Sequence, residues 1–387
     1  MAYEGKNPAG RNGPGSDVGG MGARSWAVRM ADSVLARHPV LTERWDYTAG
    51  LVLSGLVEVW RETGGEAYFR YMKETVDRFV EPGGRIRTYD RKEYNLDQIN
   101  MGKVLFFLYG RTGEERYRLA IEELREQLRE QPRTGEGGFW HKLIYPHQMW
   151  LDGIYMAAPF YAEFAQTFGE PEGFDDVARQ ILLIAEHTKD PATGLFYHGW
   201  DEAKTQIWAD PRSGTSPCFW GRAMGWYAMA IVDLLDFMPV DHPKRGAIVD
   251  LFRGMVDAFL KVQDGETGLW YQVLDQGDRP GNYHEASASC MFVYAMAKGV
   301  RKGILSPAIL VSARQGFAGI LRRLVEVGPD GLLNLKQICQ VAGLGGKANR
   351  DGSYEYYLSE PVVINDYKGV GAFILAGVEM GRAGDGS

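Results

Sequence analysis

The chain has 387 residues, 45% hydrophobic and 24% charged, the balance of a globular protein long enough for a large core. Its net charge of −7 leaves no basic stripe for a nucleic acid, and its 3 cysteines (Cys218, Cys290 and Cys339) lack the even count or CxxC spacing of a disulfide framework or a zinc site. With no apolar run of about 18 residues and no charged-then-apolar leader, a cytoplasmic protein without membrane spans is expected, and its 10 Trp and 20 Tyr are of the kind that hold sugars by stacking and hydrogen bonding.

Residues 1–22 are rich in Gly, with Pro8 and Pro14 and few apolar side chains, so they are expected to be disordered. Residues 23–387 are expected to form one domain, in which two kinds of helical pattern alternate. The first is amphipathic and charged: 23–37, 66–80, 114–130, 174–187, 244–263 and 307–325, each with apolar residues at spacings of three and four. The second is nearly uncharged and rich in Gly, Ala and aromatics: 47–63, 96–110, 152–168, 219–238, 286–300 and 367–381. The first kind predicts outer helices, wet on one face. The second predicts inner helices whose small residues let neighbours approach closely. The order outer–inner recurs at roughly 50–75 residues, a helical-repeat signature. DPATGLFYHGWDE at 190–202 matches DGETGLWYQVLDQ at 264–276, each after an outer helix and before an inner one, and each predicts a turn with a short strand. The first and last inner patterns are as apolar as the middle ones, so the expected fold is all-α, a closed (α/α)6 barrel, in preference to an open solenoid with polar caps.

In such a ring the junctions that lead into the inner helices share one end, and polar and aromatic residues gather there. They include Tyr47, Asp97, His141, Tyr145, His147, Trp150, Asp152, His198, Trp220, Arg222, Trp226, His284, Glu285 and Tyr357. A shared cleft is the natural reading. Each residue also has a plainer role open to it. Asp97 and Asp152 stand where helix caps stand, His147 can satisfy a loop carbonyl, Arg222 can pair with a structural carboxylate, and one of Trp220 and Trp226 can be core. Asp233, Asp236 and Glu58 lie deeper in the inner helices and read as helix-end or surface groups. No GxGxxG, P-loop, HExxH or GxSxG is present. What remains is carboxylate acid–base work on a carbohydrate, with Asp97 and Asp152 heading adjacent inner helices.

The segments YNLDQINMGK, YPHQMWLDGIYMAAPFYAEFA, FWGRAMGWYAMAIVDLL, NYHEASASCMFVYAMAKG and DGSYEYYLSEPVVINDYKGVGAFILA together resemble the unsaturated rhamnogalacturonyl hydrolases, glycoside hydrolase family 105, from about residue 29 to 381. The related unsaturated glucuronyl hydrolases share the fold and the two Asp residues. The resemblance implies the (α/α)6 barrel reached above from helix count, no metal or organic cofactor, and a lyase-generated substrate ending in a Δ4,5-unsaturated galacturonate. By motif, Asp152 matches the general acid that protonates C4 of the vinyl ether, and Asp97 the second acidic residue that holds ring hydroxyls. Tyr47, His141, His198, Arg222 and Trp226 match substrate-contacting positions, and Trp150 is added to them as a substrate-binding residue. Burial beside Trp150 and Tyr155, with repulsion from Asp97, is expected to raise the Asp152 pKa above about 3.9. Arg222→Lys is expected to impair binding or turnover with little loss of folding. Two rival readings are a sugar epimerase using His141 and His198 as paired bases, and a carbohydrate-binding protein without turnover.

Overall fold

Helices follow the alternation of composition along the chain. The computed structural model describes residues 22–348 and 350–384; residues 1–21 of the Gly-rich segment lie outside them. In chain order the helices are α1 (Ala23–Arg37), α2 (Tyr47–Thr63), α3 (Glu66–Asp77), α4 (Lys103–Thr112), α5 (Glu115–Glu130), α6 (Leu151–Phe168), α7 (Gly173–Thr188), α8 (Gly221–Leu234), α9 (Arg245–Lys261), α10 (Ala286–Arg301), α11 (Ile309–Arg323), α12 (Tyr354–Ser359) and α13 (Tyr367–Gly384). A 3-10 segment, Leu96–Gly102, runs straight into α4. No helix among the described residues is long and apolar enough to cross a membrane.

The inner ring is α2, the 3-10 segment with α4, α6, α8, α10 and α13. Each packs on the next, and α13 packs back on α2, so the ring is closed. The outer helices α1, α3, α5, α7, α9 and α11 lie against α13, α2, α4, α6, α8 and α10. This is the expected (α/α)6 barrel. The core fills the space between the layers, which is why nearly every residue of α6, α8, α10 and α13 is buried. Glycine makes the closing seam possible: a Cβ on Gly371 of α13 would stand 2.6 Å from Leu51 Cγ and 2.9 Å from the Leu51 carbonyl carbon of α2. Gly50, on the other flank of α2, lies so near the 3-10 segment that a Cβ there would meet Met101 Cα at 2.7 Å.

The repeated TGL segments fold alike. Asp190 accepts from Thr193 N–H at 2.8 Å, and Asp264 from Thr267 N–H at 2.7 Å. In both, the glycine that follows the threonine (Gly194, Gly268) has a φ of 77°. The strands are short: β1 (Gln148–Trp150) pairs antiparallel with β2 (Gly199–Asp201), β3 (Val325–Val327) with β4 (Leu333–Leu335), and β5 (Ile338–Cys339) with β6 (Val362–Val363).

The structure corrects one sequence reading and decides another. The second inner element is not one α-helix over 96–110. It begins as 3-10 over Leu96–Gly102, with Gly102 packed on Leu124 and Phe160, and becomes α-helical only at Lys103. Asp233, Asp236 and Glu58 are helix-end groups, as one of their two readings had it, and not loose surface ones. Lys298 bridges Asp233 and Asp236 at 2.7 Å each, and Glu58 takes Arg382 at 2.8 Å, in a network at the C-terminal ends of the inner helices.

Candidate active site

At the opposite end, where the inner helices begin, one cavity is lined by Tyr47, Asp97, His141, Lys142, Tyr145, Trp150, Asp152, Trp220, Arg222 and Trp226, and roofed by Val341–Gly343 and Arg350. Asp97 and Asp152 therefore share one site. Asp152 sits in the first turn of α6, which has no side-chain cap. The β1–β2 pair sets Trp150 opposite Gly199, and Leu151 N–H donates to the His198 carbonyl at 3.0 Å. This register lays His198 beside Asp152, with Nε2 3.3 Å from the carboxylate and Nδ1 2.7 Å from the Tyr357 hydroxyl. Tyr357 comes from α12, and burial keeps its phenol protonated. The ring is thus held between the two groups, Nε2–H toward Asp152 and Nδ1 toward the Tyr357 hydroxyl.

Burial alone would push Asp152 up. The charge and hydrogen bond of His198, with the residue's own backbone N–H, outweigh it and hold the carboxyl below its ordinary value. The expectation of a raised Asp152 is thus corrected for the free protein. Its ionisable neighbours are imidazoles, and the charge of Asp97 is engaged by Lys142 at 2.6 Å.

Asp97 lies in the 3-10 segment, and its neighbour Asn95, not Asp97, caps that element. His141 Nε2 lies 3.5 Å from Asp97, while Nδ1 is buried with no hydrogen-bond partner among the described residues. A proton on Nε2 directed at Asp97 satisfies both facts. Burial lowers the His141 pKa to about 4, with Asp97 opposing, so the ring is neutral at ordinary pH. Gly153, next to Asp152, makes room for it: a Cβ there would stand 2.7 Å from His141 Nδ1. One wall of the cavity is an aromatic pile, His141 on Trp150 at 4.4 Å and Trp150 on Tyr145 at 4.7 Å. Trp226 is part of the floor and stacks on Tyr155 at 4.7 Å.

Arg222 is fully buried. Its Nη1 donates to the Cys339 carbonyl at 2.5 Å and to Ser287 Oγ at 3.3 Å, and lies 3.8 Å from Glu285. The structural-carboxylate role is therefore real, and Arg222 still lines the cavity. Arg222→Lys is therefore expected to cost stability as well as binding.

Of the sequence candidates, Tyr47, Asp97, His141, Trp150, Asp152, Arg222 and Trp226 line the cavity, whereas His198 lies behind Asp152 and touches it from below. His147 and His284 are elsewhere: His147 faces Glu202 at 3.3 Å, and the His284 ring lies tilted against Tyr271 at 4.3 Å. Sequence reasoning missed Lys142, Arg350 and Lys368, all of which line the cavity. Lys142 was findable as the neighbour of His141. Arg350 arrives on the roof loop, tied to Tyr145 O–H at 2.9 Å, with no pattern to announce it. Four cations, Lys142, Arg222, Arg350 and Lys368, thus surround two carboxylates. Three of the four are engaged, Lys142 by Asp97, Lys368 by Asp366 at 2.8 Å and Arg222 beside Glu285, so the chain of net charge −7 gathers cations and carboxylates together around this cavity.

A family model described as Glycosyl Hydrolase Family 88 matches residues 26–383. A solved C. acetobutylicum glycoside hydrolase from family 105 is 47% identical and superposes with a TM-score of 0.90, covering 92% of this chain and 99% of that one. A protein of Agrobacterium fabrum is 43% identical over 230 residues, 58% of this chain and 97% of its own length. The unsaturated rhamnogalacturonyl hydrolase YesR of Bacillus subtilis is 29% identical over 307 residues, 77% of this chain and 82% of its own.

Proposed function

The chain belongs to glycosyl hydrolase family 88, and on that premise we propose that it removes a Δ4,5-unsaturated galacturonyl residue from the end of short rhamnogalacturonan-type oligosaccharides, products of pectin breakdown by a lyase. The observation that carries the reading is two carboxylates in one aromatic-walled cavity flanked by four cations. The likeness to YesR supports the choice of galacturonyl substrate.

In this reading the uronate carboxylate enters among Arg222, Lys368 and Arg350, and the ring lies against the Trp150 wall with its hydroxyls on Asp97 and Tyr47. Asp152 donates a proton to C4 of the vinyl ether, and positive charge develops at C5 and the ring oxygen. Water then adds to C5 and gives its proton to Asp152, and the hemiketal opens to release the second sugar. Asp152 must be protonated to begin. The incoming uronate supplies the missing influence, since a second negative charge in a buried site raises the pKa of a neighbouring carboxyl. As product leaves, the proton on Asp152 passes to solvent, and the hydrogen bond from His198 again favours the charged carboxylate. The paired-base chemistry of an epimerase lacks its second base, because His198 does not line the cavity.

The test is loss of the conjugated ultraviolet absorbance of unsaturated uronyl disaccharides, run on a galacturonyl and glucuronyl panel. Turnover of galacturonyl–rhamnose substrates is expected to lead. Faster turnover of glucuronyl substrates would reassign the sugar, and no absorbance loss on any member would remove the reaction.

A further inference from the structure

The barrel has a second cavity, at the C-terminal ends of its inner helices, and all six inner elements contribute to its wall. Its volume is about 120 Å³. That is room for about four waters or one small organic ion. Most charges around it are matched. Lys298 holds Asp233 and Asp236, Tyr294 O–H donates to Asp233 at 2.6 Å, and Glu58 pairs with Arg61 and Arg382. Two groups are not. Lys103 Nζ is buried, 3.5 Å from the centre of the Tyr155 ring, with no hydrogen-bond partner among the described residues. Glu163, two turns along α6 from Tyr155, likewise forms no hydrogen bond or ion pair among them, and both side chains line the cavity.

A buried ammonium without an acceptor is costly, and the matched carboxylates nearby are already engaged. What Lys103 lacks is an acceptor of negative charge. We propose that this cavity is a binding site for a small monocarboxylate, with Lys103 and Glu163 holding its two oxygens and Val57, Val104 and Leu375 packing its carbon end. The proposal is independent of the reaction assigned to the other end of the barrel.

The titration of the two groups fits this role. Burial lowers Lys103 to about 7, against the charges of Asp233 and Glu163, with Lys298 adding to the fall. Burial raises Glu163 to about 8, against Arg61 and Lys103, with Asp236 and Asp233 adding to the rise. Near pH 7 Glu163 is therefore a hydrogen-bond donor, and an anion beside Lys103 draws the amine back to its ammonium form. Tyr155 also stacks on Trp226, so the second cavity abuts the floor of the first.

The experiment uses the full chain with lysine labelled by ¹³C at Cε. Lys103 gives a ring-current-shifted signal, assigned by its loss in Lys103→Met. Acetate replaces chloride at constant ionic strength. A saturable shift of the Lys103 signal is expected, with its titration midpoint raised. Lys142 and Lys368 report acetate entering the catalytic cavity, so the two sites separate in one titration. Glu163→Gln keeps a donor and retains saturation, whereas Glu163→Ala weakens binding about tenfold or more, the scale of one hydrogen bond to a charged group. A Lys103 signal that does not move, or moves linearly as surface lysines do, overturns the proposal, and unaltered binding in Glu163→Ala removes Glu163 from it.

Discussion

Asp152 is the residue on which the proposed chemistry turns, and its neighbours set how it can be tested. Asp152→Asn keeps shape and cannot carry the proton, so turnover should fall by about 10²–10⁴-fold, the usual span of general acid–base catalysis. The melting temperature should stay close to wild type, because no cap is lost. Unfolding of the variant would return Asp152 to a structural role. His198→Gln gives the sharper reading. A general acid loses activity as pH rises through its pKa. His198 holds Asp152 low, so replacing the imidazole should raise that pKa and move the alkaline fall of kcat/KM to higher pH. A pH profile superimposable on wild type would mean that His198 does not set the acid. Arg222→Lys should raise KM, since the planar fork is lost, and should also cost about 1–3 kcal/mol of stability as the Cys339 carbonyl and Ser287 lose their shared donor. Denaturant melts and kinetics on one preparation separate the two effects.

At the level of elements, close backbone approach matters more than any single hydrogen bond. Gly50 is buried in the first turn of α2, where alanine would ordinarily favour the helix by up to about 1 kcal/mol. Here a Cβ meets the backbone of Met101, which cannot rotate away. Gly50→Ala is expected to destabilise by about 1–3 kcal/mol, the range for overpacking a core. The displaced 3-10 segment carries Asp97, so KM should rise in the same variant. A more stable Gly50→Ala protein would show that α2 and this segment have slack. The same logic applies at Gly153, where an added methyl would displace His141 from Asp97.

For the molecule as a whole, closure of the ring is the feature that puts six junctions around one cavity. The seam is α13 on α2, with Gly371 against Leu51 and Gly55 against Ile374. Gly371→Leu should open this seam. Denaturation should then begin at lower denaturant, and native-state hydrogen exchange should rise first in α13, α1 and α2, which pack together there. Exchange that rises uniformly around the ring would mean the barrel melts as one unit with no weak seam.

Helix positions, the two layers and the ring were legible in the chain, because a buried inner helix and a half-wet outer one demand different compositions and six such pairs leave a periodic trace. The aromatic loop and the two acidic residues were legible as well, since each lies beside an inner-helix start. What the tertiary structure decided were pairings between distant segments. His198 meets Asp152 through a three-residue strand pair, and Tyr357 reaches His198 from 159 positions away. Arg350 arrives from a roof loop 205 positions beyond Tyr145. None of these three contacts leaves a local pattern, because each depends on where whole helices stop and not on the periodicity within them. The Asp152 carboxyl shows the difference most directly. Its residue type and its place at a helix start are written in the sequence, but its low pKa follows from an imidazole that only folding brings to 3.3 Å.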